Sequence, residues 1–510
     1  MISRIKLSYR NLALIALILG VVSYTFVQSK QRGMHETIPH PIGRHRMLIG
    51  IAISDLQYGL KGYIGYDKVN NTLANNGMST NSEVLNNYST TIDEILNNEK
   101  ILNDSIKRSL NLDVSSSNKY MISREDKGGA LYYKLSFLIF GYNIQGFFYL
   151  YFLLFSISVF IYLLTFYRRV EFLNILLLII CSHFIIVSAA PTVGLQLQTV
   201  SNGRFIPVLA ILPSLYLALL ILGKYQLTLL TLISAFIQTL ILILTIHIRS
   251  SALYQIMFLC TTFGLGLLWN WSQNSTMGKY VLNKIFFWPL AIVFFCFLLL
   301  KWHMLVDFHH SYTKTQSKHL FWHAVYVGLG THPDSWNKYE ILPNDDSAIQ
   351  FAKKYAKEHY GININSATDA VLYESILKDK FFKILSQDPR LVVESFLYYK
   401  PILFINNYFS FFFGAVNNLL KWTILAIVIF SGVISNKVFL KKWFEDFPLI
   451  FLLLIFSLLP SILVVPEPHL IADPALLFTL VIFMIISGAI CYIFQQDLIP
   501  GFFSRRHVNS

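Results

Sequence analysis

Runs of apolar residues long enough to cross a bilayer recur along this chain at 11–28, 144–167, 172–190, 205–222, 227–246, 252–270, 285–302, 422–436, 447–465 and 473–494. A helix needs roughly 20 apolar residues to span the hydrocarbon, where no water is present to satisfy an irregular backbone. The pattern therefore predicts an all-α polytopic membrane protein with about ten transmembrane helices. Two long polar stretches interrupt it and are read as external helical segments. The organisation expected is an N-terminal transmembrane helix (1–28), an external loop domain with interfacial helices (29–143), a transmembrane bundle of six helices (144–302), an external helical domain (303–421), and C-terminal transmembrane helices with a cytoplasmic tail (422–510).

Lys and Arg in short loops set orientation. Arg168, Arg169, Lys224, Lys279, Lys284, Lys437, Lys441, Lys442, Arg505 and Arg506 fall on one side of this arrangement, and Arg4, Lys6 and Arg10 agree with them. That side is read as cytoplasmic, with both termini, and the polar segments as external. A further complete span over 401–420 would reverse the C-terminal half and put Lys441 and Lys442 outside, so an interfacial or re-entrant helix is expected there. The first apolar run follows basic residues as a signal peptide would, but polar Gln28–Arg32 supplies no small-residue cleavage site, so it is read as an uncleaved span.

Within the first polar stretch, Asn70–Asn118 is rich in Asn and Ser, and Ala130–Tyr142 is amphipathic and aromatic, as suits a helix at the membrane interface. In the second, Ser347-Ala-Ile-Gln350 has the form of a capping box opening a helix to about Tyr360. A second helix is expected from about Ala367 to Gln387, stopped by Asp388-Pro389, because proline disfavours helix in the residue before it.

Composition excludes a soluble globular protein: the 510 residues are 55% hydrophobic and 14% charged, with mean hydropathy +0.53. The net charge of +13 would suggest nucleic acid in a soluble chain, but here Lys and Arg sit beside apolar spans, where they orient the protein and meet anionic head groups. Cys181, Cys260, Cys296 and Cys491 all fall within apolar runs, which argues against a disulfide framework or a thiolate metal site. His183 is the clear ionisable residue of the inner spans, apart from Lys301 near a boundary. Coupled transporters place charged groups at mid-membrane depth. Here polar groups gather at the external ends of the spans, as suits an enzyme acting on a lipid head group.

Arg124-Glu125-Asp126-Lys127-Gly128-Gly129 pairs adjacent carboxylates with two glycines. A partly desolvated carboxyl beside a like charge has its pKa raised and can act as a general base, and glycine lets backbone approach a substrate. A charged turn capping the next helix has the same composition. Asp55, followed by Tyr58, Tyr63 and Tyr66, offers a carboxylate beside aromatic faces suited to a sugar; an ordinary N-cap reads the same way. Arg204 and Arg249 stand at external boundaries against the positive-inside trend. A guanidinium matches a pair of phosphate oxygens, although interfacial snorkelling also places Arg there. His319 and His323 are four residues apart, as two imidazoles on one helical face would be, but no Glu follows His319 as a zincin helix requires. No metal site is therefore assigned. Asp345-Asp346-Ser347 could bind a cation or hydroxyls, and helix capping explains it equally well.

Several of these segments together resemble a bacterial membrane-protein family related to the GT-C glycosyltransferases, which use polyprenyl-phosphate-linked sugars. The matching stretches are Glu125-Asp126-Lys127-Gly128 with Leu135-Ser136-Phe137 and Phe140-Gly141, Ser201–Pro213, His247–Ser251, His319–Gly330, and Asp345-Asp346-Ser347. The resemblance implies a GT-C-like architecture and transfer of a sugar from a polyprenyl-phosphate donor to a glycan, lipid or protein acceptor on the external face, in a bacterial inner membrane. It implies a carboxylate base, Asp126 with Glu125 beside it or else Asp55, and phosphate partners Arg204 and Arg249. Lys127, His319, Trp322, His323, Tyr326 and Asp346 are the further substrate-binding candidates. Asp126 departs from the better-known pattern by lying late in the loop, where the acid more often follows the first span closely. The resemblance assigns no certain cofactor, and dependence on a divalent cation is left open. The rival readings are a polysaccharide polymerase or lipid-linked oligosaccharide transporter, and a non-catalytic envelope scaffold.

Overall fold

A computed structural model describes residues 8–31, 52, 56, 128–141, 145–189, 205–222, 228–273, 294, 297, 298, 321–364, 369–435, 437–466 and 471–495. Every regular element among them is helical. The bundle comprises α1 (Tyr9–Gln31), α2 (Gly128–Phe140), α3 (Gln145–Phe166), α4 (Val170–Ala189), α5 (Ile211–Ile221) behind a 3-10 turn at Ile206–Ala210, α6 (Leu229–Ile248), and α7 (Tyr254–Gln273) behind a 3-10 turn at Ser250–Leu253. Next come α8 (Phe321–Leu329), α9 (Pro333–Tyr339), α10 (Asp345–Tyr360), α11 (Ala370–Gln387) and α12 (Pro389–Glu394). The chain returns to the bundle through α13 (Lys400–Asn407), α14 (Asn418–Ile434), α15 (Lys437–Leu463) and α16 (Ala472–Gln495).

Six described helices are long and apolar enough to cross a membrane: those at Tyr9–Lys30, Gly146–Phe166, Val170–Ala189, Leu229–Ile248, Asp446–Leu463 and Ala472–Phe494. A seventh crossing arises if Pro389–Phe413 and Asn418–Ile434, which meet at a bend of 104°, form one broken span. Ile206–Ile221 and Tyr254–Leu268 are shorter apolar helices. The run expected at 285–302 lies outside the described residues except for 294, 297 and 298.

Helix α4 is the centre of the bundle, buried from Phe172 to Ala189 and packed by α1, α3, α14, α15 and α16. Lipid is as apolar as a leucine face, so these helices associate through close packing and interhelical hydrogen bonds. Ser158 on α3 and Gln238 on α6 supply one such link: Ser158 Oγ donates to Gln238 Oε1 (2.7 Å), and Gln238 Nε2 returns a bond to the Ser158 carbonyl (2.9 Å). His183 is sealed inside, its Nε2 2.9 Å from the Tyr151 hydroxyl and its ring stacked 3.9 Å from that of Phe155.

Polar contacts sort the helix ends into two faces. Asn11 Nδ2 donates to the Tyr167 carbonyl (2.8 Å), and Asn174 Nδ2 donates to Ser435 Oγ (2.6 Å). The start of α1, the Arg168-Arg169 turn, the start of α4 and the end of α14 thus share one face. At the opposite face lie the ends of α6 and α15 and the starts of α2, α7 and α16.

The segment 321–394 forms a separate small helical unit with its own core of Val325, Tyr326, Leu329, Ala352, Tyr373, Leu377 and Ile384. Helix α10 is capped by Asn344, whose side chain accepts from Ser347 N–H (2.9 Å), so Ser347 sits in the first turn and is not the cap the sequence suggests. Gly361 ends that helix at φ 68°, the left-handed conformation glycine adopts without strain. Helix α11 stops at Asp388 as expected, and Asp388 then caps α12 by accepting from Leu391 N–H (3.2 Å). The unit sits against the end of α15, where Val465 joins its core.

Candidate functional site

Gly128, the 3-10 turn at Ile206–Ala210 and the residues from His247 to Tyr254 meet at the face where α6 ends. Gly128, the first residue of α2, is packed so tightly that a Cβ there would overlap the His247 carbonyl and the Ile248 nitrogen. Glycine is required for this backbone approach. Glu125, Asp126 and Lys127 lie outside the described residues. Arg204 also lies outside them, directly before Phe205, which is buried against Tyr151. Asp55 lies outside as well; its neighbour Leu56 packs on the bundle core.

Arg249 stands at the C-terminal end of α6 in extended conformation (φ −143°, ψ 104°), between that helix and the following 3-10 turn. Its side chain is half-buried and makes no hydrogen bond or ion pair with any described residue. Next to it is a polar network that sequence reasoning missed. The Tyr254 hydroxyl donates to Asp473 Oδ2 on α16 (2.7 Å) and accepts from Gln255 Nε2 (3.1 Å). Gln255 Nε2 also reaches the Pro207 carbonyl (3.3 Å), and Gln255 Oε1 accepts from Ser214 Oγ. Asp473 is 7% exposed and lies within electrostatic range of the Arg249 guanidinium. An intramembrane carboxylate is costly and tends to mark function. Asp473 opens the last apolar run, where it reads as a loop boundary. The available signal was an acidic residue followed by Pro474 at the start of a span.

The remaining candidates lie in the helical unit. Glu374 accepts from the first N–H groups of α8, through Oε2 from Trp322 (2.7 Å) and through Oε1 from His323 (2.8 Å), placing negative charge where the helix dipole favours it. His323 Nε2 lies 3.0 Å from Asp345 Oδ1 and Nδ1 lies 2.6 Å from the Tyr373 hydroxyl. The carboxylate can only accept, so Nε2 carries the proton in the neutral ring and Nδ1 accepts from Tyr373. Tyr373 is buried in the core, so this chain runs from an exposed carboxylate into packed protein and joins α8, α10 and α11. Asp345, not Asp346, meets His323; Asp346 is exposed in the first turn of α10.

Tyr326 is a core residue, stacked on Phe351 at 5.5 Å, and burial pushes its hydroxyl pKa up. Trp322 is partly exposed beside Phe321 and Phe382, with the Lys378 ammonium 6.0 Å from its ring centroid. His319 lies outside the described residues. Among the described residues no group of three or more His, Cys, Asp or Glu is placed to hold a metal. The structure thus brings Gly128, Arg249, Tyr254 and Asp473 together, and holds Trp322, His323 and Tyr326 in a second cluster.

No family model, curated protein or solved structure matches this chain.

Proposed function

We propose that the chain is a GT-C-like membrane glycosyltransferase that moves a sugar from a polyprenyl-phosphate donor to an acceptor on the external face. The observation that supports it most directly is the packing of Gly128, which ends the acidic motif, against His247–Ile248, immediately before the half-buried Arg249. In this reading the acidic motif that precedes Gly128 supplies the carboxylate base and Arg249 the phosphate-binding cation, both at the end of the bundle where lipid head groups would lie.

In this reading the acceptor hydroxyl attacks the anomeric carbon, Asp126 takes its proton, and the bond from that carbon to the phosphate oxygen breaks. Polyprenyl phosphate leaves with the electron pair, and Arg249 and Arg204 stabilise the departing charge through paired, charge-assisted hydrogen bonds. Asp55 and Glu125 are the alternative bases. Trp322, with Phe321 and Phe382 around it, offers an aromatic surface for an acceptor sugar.

The topology we propose has ten spans. It adds the two shorter apolar helices, the bent pair and the run 285–302 to the six long helices. The Arg168-Arg169 face is cytoplasmic, with both termini, and the membrane is a bacterial inner membrane.

The test is Asp126→Asn with purified lipid-linked donor. Transfer should fall by about a hundredfold or more, as expected on loss of a general base. Undiminished turnover removes Asp126 from the mechanism.

A further inference from the structure

We propose that Tyr254 and Asp473 position Arg249 to grip the phosphate of the lipid donor, an inference that rests on the proposed transferase reading. Arg249 and Tyr254 are joined by a single 3-10 turn, Ser250–Leu253, so anchoring Tyr254 fixes the path of the chain that carries the guanidinium. The anchor is strong for its depth: a buried hydroxyl donates to a carboxylate at 2.7 Å, and Gln255 ties the same turn to Pro207 and Ser214. On the other side Gly128 holds the backbone of His247 and Ile248. The peptide segment is clamped from α2, α16 and the 206–214 region, while the Arg249 guanidinium itself makes no hydrogen bond or ion pair with described residues.

A rigid mount under a guanidinium whose donors are unused by the described residues is what bidentate capture of a phosphate requires, since an Arg already held in place loses little freedom on binding. The charge of Asp473 opposes an anionic ligand, so its useful contribution is geometric. Charge and tether can therefore be separated. Tyr254→Phe breaks the tether and leaves the carboxylate, whereas Asp473→Asn removes the charge and keeps an oxygen that can accept from Tyr254.

The experiment measures binding of polyprenyl monophosphate to the full chain in phosphatidylcholine nanodiscs, with nanodiscs containing phosphatidylglycerol in its place as a second arm. Thermal unfolding of each variant confirms the fold. Arg249→Ala should weaken polyprenyl monophosphate binding by about tenfold or more, and Tyr254→Phe by about fivefold, as loss of charge-assisted bonds and of their preorganisation predicts. Asp473→Asn should bind at least as tightly as the unaltered chain. Tyr254→Phe placed on Arg249→Ala should cost nothing more, because the tether acts only through the guanidinium.

Full affinity in Tyr254→Phe, or an equal further loss on the Arg249→Ala background, overturns the positioning role while leaving the transferase reading intact. Unchanged affinity in Arg249→Ala removes the phosphate assignment itself, and the positioning role falls with it. Equal losses in the phosphatidylglycerol arm assign Arg249 to bulk anionic lipid and overturn the donor-specific role.

Discussion

The Lys400 ammonium donates to the Ile462 carbonyl at 2.6 Å, at the C-terminal end of α15, and stands 3.7 Å from the ring centroid of Phe396. It also reaches the Leu463 carbonyl (3.3 Å) and is fully buried. A cation at a helix C-terminus meets carbonyls with no intrahelical partner, so Lys400 satisfies groups that would otherwise be orphaned in an apolar setting. Gly328 of α8 completes the joint, since a Cβ there would overlap Lys400 Nζ.

Lys400→Met should therefore destabilise the junction between the helical unit and the bundle by about 1–3 kcal/mol, the usual cost of leaving buried acceptors unsatisfied. Gly328→Ala should act at the same place through overlap with Lys400, and combining the two should cost less than their sum. Hydrogen exchange across 460–466 and thermal unfolding in detergent would show both effects. Additive losses would mean that Gly328 and Lys400 do not share a joint.

Within the helical unit, Glu374 satisfies two N-terminal donors of α8 at once. Glu374→Ala should cost about 1–2 kcal/mol, in the range of a lost cap. Glu374→Gln, which keeps an acceptor oxygen but not the charge, should cost less. Faster amide exchange at Trp322 and His323 in Glu374→Ala is the expected signature; unchanged exchange at both would refute the capping role.

Long apolar runs made α1, α3, α4, α6 and α16 legible, because lipid demands an unbroken stretch of suitable length whatever the packing. Arg249 was singled out in the sequence because it departs from the charge asymmetry expected of the loops. Asp473 was not: its partner Tyr254 is 219 residues away, and only folding brings the two together. Lys400 was hidden for a similar reason, because its acceptors are backbone carbonyls that no sequence pattern marks. The cap of α10 was misread because Asn344 and Ser347 are both good capping residues three positions apart, and local geometry chose the first.

Lys338 and Asp388 make the clearest pH-sensitive pair outside the membrane, with Nζ 2.6 Å from Asp388 Oδ2. The hydrogen bond from Lys338 holds the Asp388 carboxyl below its ordinary 3.8, and the same bond raises Lys338 above its ordinary 10.5. A depressed acid contributes stability that is complete above its unfolded pKa and is lost as pH falls through the folded value. A raised base contributes stability that is complete below its unfolded pKa and is lost as pH rises through the folded value. The link between α9 and the α11–α12 corner should thus hold between the two ordinary values, 3.8 and 10.5, and weaken as pH falls below the first or rises above the second. Asp388→Asn should flatten the acid limb of a stability profile; an unaltered limb would assign the acid sensitivity to other carboxylates.

Transfer and transport make different demands on the middle of the bundle. A translocated sugar or phosphate needs polar partners across the whole thickness, because desolvated hydroxyls and charges are costly in hydrocarbon. Described mid-depth positions offer little of that kind: α4 is packed on all sides, His183 is bonded to Tyr151 and covered by Phe155, and Ser158 and Gln238 satisfy each other. The linked polar side chains of Tyr254, Gln255, Ser214 and Asp473 stand at the Arg249 end. Reconstituted vesicles holding a fluorescent lipid-linked sugar should therefore show release of free polyprenyl phosphate when an acceptor is supplied, with no exchange of the label between leaflets beyond that of protein-free vesicles. Arg249→Ala should lower the release. Leaflet exchange that proceeds without cleavage, and that survives Arg249→Ala, would favour a transporter over a transferase.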